Sequence, residues 1–258
     1  MSTAKGRLLL VPTPLDFGCA TQAPITDVLP VATLTAAART THWITENAKS
    51  TRAFLKRVGE HQPLALPLQS QTVTELPRAV HKKGDHTAGP HGGFDARPLL
   101  QAALAGHDVG LLSEAGMPAV ADPGSSVVRA APALGLQVLP LVGPVSLLLA
   151  LAASGLNGQN FAFVGYLPQD ASERAARLRQ LDMLAHKTGQ TQMWIETPYR
   201  NPAMFGALLQ VLQPGTRLAI ASGLTLASAN IRSASVSAWK QSGGGPDAHT
   251  PAVFAIGT

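Results

Sequence analysis

Residues 110–124, GLLSEAGMPAVADPG, decide how this chain is read. A short apolar run stops at Ser113-Glu114, and Gly116, Pro118, Pro123 and Gly124 then fall close together, with Asp122 among them. An unbroken apolar run predicts a strand buried on both faces, as in a parallel sheet. Glycine opens positive φ and close backbone approach, and proline stiffens the exit. In an open parallel sheet, ligands gather beyond the carboxyl ends of the strands. LVGPVS at 141–146 repeats the device after the next predicted strand. We read the two bends as walls of one crevice at neighbouring strand ends, although each alone also reads as a tight turn.

Outward from there, the rhythm is strand, turn, helix. Strands are predicted at 7–12, 42–46, 64–69, 108–113 and 137–142, with helices at 50–58, 96–105 and 125–134. This predicts a mostly parallel sheet covered on both faces. The second half opens with a helix at 145–154, then a strand at 161–167, a charged helix at 172–184, a strand at 192–196 and a helix at 201–212. Residues 217–222, 229–239 and 251–257 are all β-like with little helix between them, which predicts antiparallel pairing at the end of a mixed sheet. The fold class is therefore α/β in two domains, 7–141 and 144–258. No internal repeat is visible.

The chain has 258 residues, of which 45% are hydrophobic and 14% charged. The low charge content, against about 25% in a typical domain, predicts extensive burial. The net charge of +5 is compatible with an anionic partner such as nucleic acid. Basic residues are scattered, with no run beyond Lys82-Lys83, so plain solubility explains the charge equally well. Cys19 is the single cysteine, which rules out an intrachain disulfide and fits a reducing compartment. The apolar run at 8–11 is too short for a signal peptide, and 138–156 is broken by Pro140, Gly143 and Pro144. A cytoplasmic protein without a membrane span is expected.

The first strand ends in Pro-Thr-Pro-Leu-Asp, and neither dinucleotide-binding nor P-loop glycine patterns occur. No G-x-S-x-G elbow is present either, which disfavours an α/β-hydrolase. His81, His86 and His91 sit among glycines at 81–95, but their spacing matches no helix face and no familiar zinc pattern. A solvated loop is the better reading, and no metal is expected.

GLLSEAGMPAVADPG, then VLPLVGPVSLLLALAASGL, FAFVGYLP and WIETPYR, resemble in order the tetrapyrrole methylase superfamily of S-adenosylmethionine-dependent methyltransferases. The nearer likeness is to the branch containing 16S ribosomal-RNA cytidine 2′-O-methyltransferases, with motifs close to V-S-D-A-G-T-P-x-I-S-D-P-G, P-L-P-G-P, F-x-G-F-L-P and Y-E-S-P-H-R. The resemblance runs from Leu8 to about Thr225. It implies two α/β domains with S-adenosylmethionine in the cleft between them, and a homodimer. By position it assigns Thr13, Pro14, Ser113, Glu114, Ala115, Gly116, Met117 and Pro118 to the cofactor, with Gly143, Pro144, Val145 and Ser146 beside them. Tyr166, Leu167 and Pro168 would close the second-domain side, and Leu224 and Thr225 would reach the adenine. This suits a ligand without phosphate, because methyl transfer needs mainly alignment and exclusion of water.

A ribose hydroxyl is a weak nucleophile near neutral pH, so a nearby base helps. Glu46 and Glu196 each end a predicted strand at an acidic position of the family pattern and are the catalytic candidates. Each also reads as a cap of the next helix or a partner of an arginine. Arg52 and Arg200, in the same motifs, are the candidates to hold RNA phosphate. Several positions depart from the pattern. Asp16 and Phe17 stand where the first loop has Gly-Asn, A-E-D-T-R becomes TENAK at 45–49, and Glu114 replaces Asp. R-E-L-T-K survives only as Gly223-Leu224-Thr225. The expected function is methylation of a ribose 2′-oxygen of ribosomal RNA. The alternatives are C-methylation of a tetrapyrrole intermediate, or a catalytically degenerate S-adenosylmethionine- or RNA-binding protein.

Overall fold

A computed structural model describes residues 4–78, 85 and 94–258. His81, His86 and His91 lie outside the described residues. The chain divides into two compact units, one running through Phe17 and from Ala23 to Val145, the other taking Gly18–Gln22 and Ser146–Thr258.

The first unit carries strands β1 (Leu8–Leu10), β2 (His42–Thr45), β3 (Thr72–Glu75), β4 (Val109–Leu112) and β5 (Val138–Pro140). They form one sheet in the order β3-β2-β4-β1-β5, and every pairing is parallel. Its helices are α1 (Ile25–Val28), α2 (Val31–Arg39), α3 (Ala48–Gly59), α4 (Gln101–Leu104) and α5 (Ser125–Ala133). A 3₁₀ turn, Arg97–Leu100, runs into α4. Alternate residues of each central strand serve two separate cores. Leu8, Ile44, Val109 and Leu111 pack with Leu100, Val127 and Ala131. Leu9, Val11, Trp43 and Leu112 pack with Leu34, Leu55 and Val58. With both faces covered, the strands lose polar alternation and read as apolar runs.

Three details differ from the sequence reading. Residues 64–69 are not a strand: Pro63 and Pro67 remove backbone donors, and Pro67 leads into a 3₁₀ turn at Leu68–Ser70. The strand is β3, which begins three residues past that stretch, a mostly polar edge held to β2. The bends at 113–118 and 141–146 do not leave adjacent strands, because β1 lies between β4 and β5. Helices α1 and α2 fall in a stretch that the sequence reading leaves blank.

The second unit contains α6 (Ser146–Ser154), β6 (Phe161–Tyr166), α7 (Ala171–Thr188), β7 (Thr191–Glu196) and α8 (Asn201–Val211). It continues with β8 (Arg217–Ser222), β9 (Asn230–Ser235), α9 (Val236–Ser242) and β10 (Ala252–Gly257). The sheet order is β6-β7-β10-β8-β9, parallel only between β6 and β7. Trp194, Leu218, Phe254 and Ile256 face a core closed by Leu178, Leu181, Met204, Leu208 and Trp239. The β-like stretch 229–239 ends as a strand at Ser235, whose hydroxyl accepts from Ala238 N–H and starts α9.

Candidate active site

In the first unit, three strand exits are stitched together. Thr13 and Gly116 exchange both backbone hydrogen bonds, at 3.0 and 3.1 Å, and the Thr13 hydroxyl donates to the Ser113 carbonyl. Leu141 N–H reaches the Leu10 carbonyl. Gly116 has φ +77°, and a Cβ there would stand 3.6 Å from the Pro144 carbonyl oxygen. A Cβ on Gly143 would fall 2.3 Å from the Pro12 ring. The Ser113–Pro118 bend, the Gly143–Val145 segment and the Thr13-Pro14 exit therefore lie side by side. Pro14, Pro118 and Pro144 are buried there, while Glu114, Ala115, Met117 and Val145 are partly exposed.

The backbone of this loop is unusual. Gly116, Ala119, Ala121 and Gly124 all have positive φ. For alanine that region costs about 1 kcal/mol per residue, and such strain clusters at functional sites. Among the described residues, the remaining non-glycine residue with positive φ is Thr225, at +71°.

Carboxylates gather beside the loop. Glu46 follows β2, but it does not cap α3; Asn47 does, accepting from Lys49 N–H and Ser50 N–H. One carboxylate oxygen of Glu46, Oε1, is buried without a hydrogen-bond partner among the described residues. Burial, then the charges of Asp122 and Glu114, push its pKa up to about 8, against a smaller pull from the Glu114 backbone amide. Asp122 is also pushed up, to about 7, chiefly by burial. The Ser113 hydroxyl lies against Asp122 and favours its charged form, yet reaches hydrogen-bond geometry with no described group. Asp85 differs. It accepts from the backbone of Gly124, Ser125 and Ser126 and from the Ser126 hydroxyl, and these bonds hold its carboxyl below the usual range against the cost of burial. Sequence reasoning did not single out Asp85 or Asp122. Asp122 had a signal, the D-P-G turn; Asp85 had none.

The remaining candidates are arranged otherwise. Arg52 is exposed on α3, with one weak contact to the Ala48 carbonyl. In the second unit, Glu196 is buried and its Oε1 accepts from Thr197 N–H, the Thr197 hydroxyl, and Arg200 Nε and Nη2. Tyr166 is exposed at the end of β6, Leu167 joins the core, and the Pro168 carbonyl accepts from Arg174. Leu224 is buried, and the Thr225 hydroxyl is buried without a hydrogen-bond partner among the described residues. Ser146 begins α6. Asp16, at a position where the pattern has glycine, is gripped by two nitrogens of Arg57, each at 3.1 Å.

Among the described residues, no three His, Cys, Asp or Glu side chains are placed to hold a metal ion. No helix among them is long and apolar enough to cross a membrane.

The chain is 38% identical over 142 residues to ribosomal RNA small subunit methyltransferase I of Mesorhizobium japonicum, covering 55% of this chain and 45% of that one. It is 36% identical over 128 residues to the protein of the same name from Pseudomonas aeruginosa, covering 50% and 44%. The chain thus spans about half the length of the relatives it matches. Among solved structures, a conserved hypothetical protein from Aeropyrum pernix K1 superposes with TM-score 0.60 at 18% identity, covering 98% of this chain and 85% of that one. The crystal structure of the methyltransferase CobJ superposes with TM-score 0.56 at 17% identity, covering 98% and 94%. At such identities the likeness establishes the fold. Residues 30–238 match the sequence model of the Tetrapyrrole (Corrin/Porphyrin) Methylases, and the chain belongs to that family.

Proposed function

We propose that this protein is an S-adenosylmethionine-dependent methyltransferase acting on a ribose 2′-oxygen of ribosomal RNA. The observation that carries the reading is the strained 113–124 loop, stitched to Thr13 and set against Pro144, with a buried Ser113 hydroxyl left without a hydrogen bond among the described residues. Such a loop suits a ligand held by backbone amides, carbonyls and a few hydroxyls, without a phosphate cradle. The Thr225 hydroxyl, buried without a partner among the described residues in the second loop with a strained non-glycine residue, supports the same use in the second unit. The names of the relatives support RNA as acceptor, and the +5 charge is compatible with it.

When bound, S-adenosylmethionine supplies a methyl group on a good leaving group. The chain's own work is to align the acceptor and exclude water. In this reading, Thr13-Pro14, residues 113–118 and residues 143–146 grip the cofactor, and Tyr166–Pro168 and Leu224-Thr225 keep the cofactor-binding role that the family resemblance gives them. Glu46 takes the acceptor's proton, and Arg52 and Arg200 meet RNA phosphate. Glu196, tied to Arg200 and its own turn, sets the position of that arginine. A homodimer in the cytoplasm, where ribosomal RNA is found, completes the proposal.

The test is incubation of purified protein with methyl-labelled S-adenosylmethionine and small-subunit particles from a strain lacking this protein. Label mapped to a ribose oxygen supports the reading. Label transferred to a porphyrin-like acceptor and not to RNA favours tetrapyrrole methylation. Binding of the cofactor without transfer to either favours a degenerate binding protein.

A further inference from the structure

The second unit holds a cleft of about 380 Å³, a size at which small ligands bind, that the proposed function does not use. Its floor is one face of two paired strands, where Arg232 of β9 stands opposite Ile220 of β8, and Asn230 opposite Ser222. Trp239 of α9 and the glycine-rich turn 244–247 complete it. The walls are fixed from behind. The Trp239 indole N–H donates to the Leu218 carbonyl, and Phe205 of α8 packs against the indole in a T-shaped pair. A Cβ on Gly245 would fall 2.5 Å from the Phe205 ring, so the turn lies directly on that side chain. The buried Asn201 side chain donates to the Thr250 carbonyl at 2.9 Å and ties down the far end of the loop.

The guanidinium carbon of Arg232 lies 3.8 Å from the centre of the Trp239 ring. Its Nη1 donates to the Gly243 carbonyl and its Nη2 to the Ser242 hydroxyl, both neutral acceptors at the end of α9. Among the described residues no carboxylate pairs with it. A guanidinium carries five N–H donors in a rigid fork, and two bonds do not exhaust them. Asp247, the acid in the cleft, is committed to its own turn. It accepts from His249 N–H, Thr250 N–H and the Thr250 hydroxyl, and these bonds hold its carboxyl below the usual range. A cation with spare donors and neutral partners matches a phosphate, and the Ser222 hydroxyl and Asn230 amide suit a sugar or base edge.

Resting on the ribosomal-RNA reading, we propose that this cleft holds one nucleotide of the RNA strand, with Arg232 on its phosphate and Asn230 on its sugar or base. Ser222 and Ser228, both in the cleft, bracket Gly223-Leu224-Thr225, so the nucleotide lies beside the loop that the resemblance assigns to the cofactor. A free nucleotide offers the same phosphate. The strand is the source that fits, because Asn230 and Gly244 are exposed and leave the chain a way in and out.

Fluorescence anisotropy with a short end-labelled single-stranded RNA containing all four bases, at several salt concentrations, tests it. Arg232→Gln should weaken binding about tenfold, the scale of one charge-assisted contact. It should also flatten the slope of log affinity against log salt by about 0.7, the share of one phosphate on a single strand. Arg232→Lys keeps the charge without the fork, so it should keep the slope and lose only part of the affinity. Affinity for S-adenosylmethionine should be unchanged in both. If Arg232→Gln fails to fold, because α9 loses these bonds, Asn230→Ala should weaken RNA binding severalfold with the slope unchanged. Unchanged RNA binding in the folded variant overturns the proposal and leaves the ribosomal-RNA reading standing. Displacement of the RNA by an equal concentration of nucleoside monophosphates overturns the strand as the source. A wild type that binds neither this RNA nor small-subunit particles overturns the proposal and the ribosomal-RNA reading together.

Discussion

Two turns in this protein look alike in sequence and behave as opposites. TENAKSTR, residues 45–52, and ETPYR, residues 196–200, each carry a glutamate at the end of a strand, a helix or 3₁₀ turn just beyond, and an arginine a few residues on. At the second turn Glu196 meets Arg200 and its own backbone, and one oxygen takes four hydrogen bonds. At the first, Asn47 takes the cap, Arg52 stays exposed, and Glu46 faces other carboxylates. The difference is one of environment. A carboxylate given a cationic partner locally holds structure, whereas one set in a poorly solvated place beside other carboxylates is poised to change charge.

Breaking the satisfied turn should have the largest effect. Glu196→Ala leaves Arg200 half-enclosed without its partner, and removal of one member of a buried pair is strongly destabilising. With Arg200 still reaching some solvent, we expect a loss of about 3 kcal/mol in urea unfolding. The equivalent Glu46→Ala change should cost far less, since no described cation is orphaned by it. Equal losses at the two sites would dissolve the contrast.

Asp85 sharpens the comparison from the other side, as an acid beside the same loop that is fully engaged. Its carboxylate collects the first amides of α5 and the Ser126 hydroxyl. Asp85→Ala should destabilise by about 2 kcal/mol, the upper range for a helix cap. Because the bonds depress its pKa, that stability is present near neutrality and is lost as pH falls through the folded-state value. Acid titration of unfolding midpoints should therefore bring the wild type towards the variant at low pH.

Glu46 should show the reverse dependence. Its pKa rises from 4.5 to about 8, so the folded chain holds this proton more tightly than the unfolded chain does. That preference stabilises fully below about 4.5 and is lost as pH rises towards 8. Glu46→Gln should have little effect at pH 4 and gain about 1–2 kcal/mol at pH 8, after discounting for partial exposure. Guanidinium unfolding at the two pH values reads the difference. A variant no more stable than wild type at pH 8 would mean that Glu46 already finds a cation in the folded protein.

How much of this was legible follows from where each signal resides. The parallel sheet could be read because β1, β2 and β4 are apolar on both faces, as two-sided burial requires. Strand β3, TVTE, escaped because an edge strand with mostly polar, exposed positions carries no hydrophobic pattern. The crevice-like loops were visible through their glycines and prolines, which mark backbone geometry directly. Glu46 was visible as a strand-end acid, but whether it would be capped, paired or left alone depends on Asn47, Glu114 and Asp122. The last two reach it only through the sheet order. Asp85 bonds residues about 40 positions away, and no local spacing encodes that contact.

The 113–124 loop also permits the smallest and most discriminating prediction. Ala119 at φ +64° and Ala121 at φ +65° lie in a region that glycine enters freely. If the strain serves only the turn, Ala119→Gly should relieve about 1 kcal/mol in the folded state and return part of it through the entropy of the unfolded chain. The net gain should be a few tenths of a kcal/mol, with ligand affinity unchanged. If alanine holds the loop in one shape for a ligand, the same substitution should weaken S-adenosylmethionine binding several-fold while stability is kept, because a glycine loop must be ordered on binding. Unfolding and titration on one variant separate the two. The second outcome would place the residue cost of this loop, raised by its glycines and prolines at the level of sequence, on the side of function.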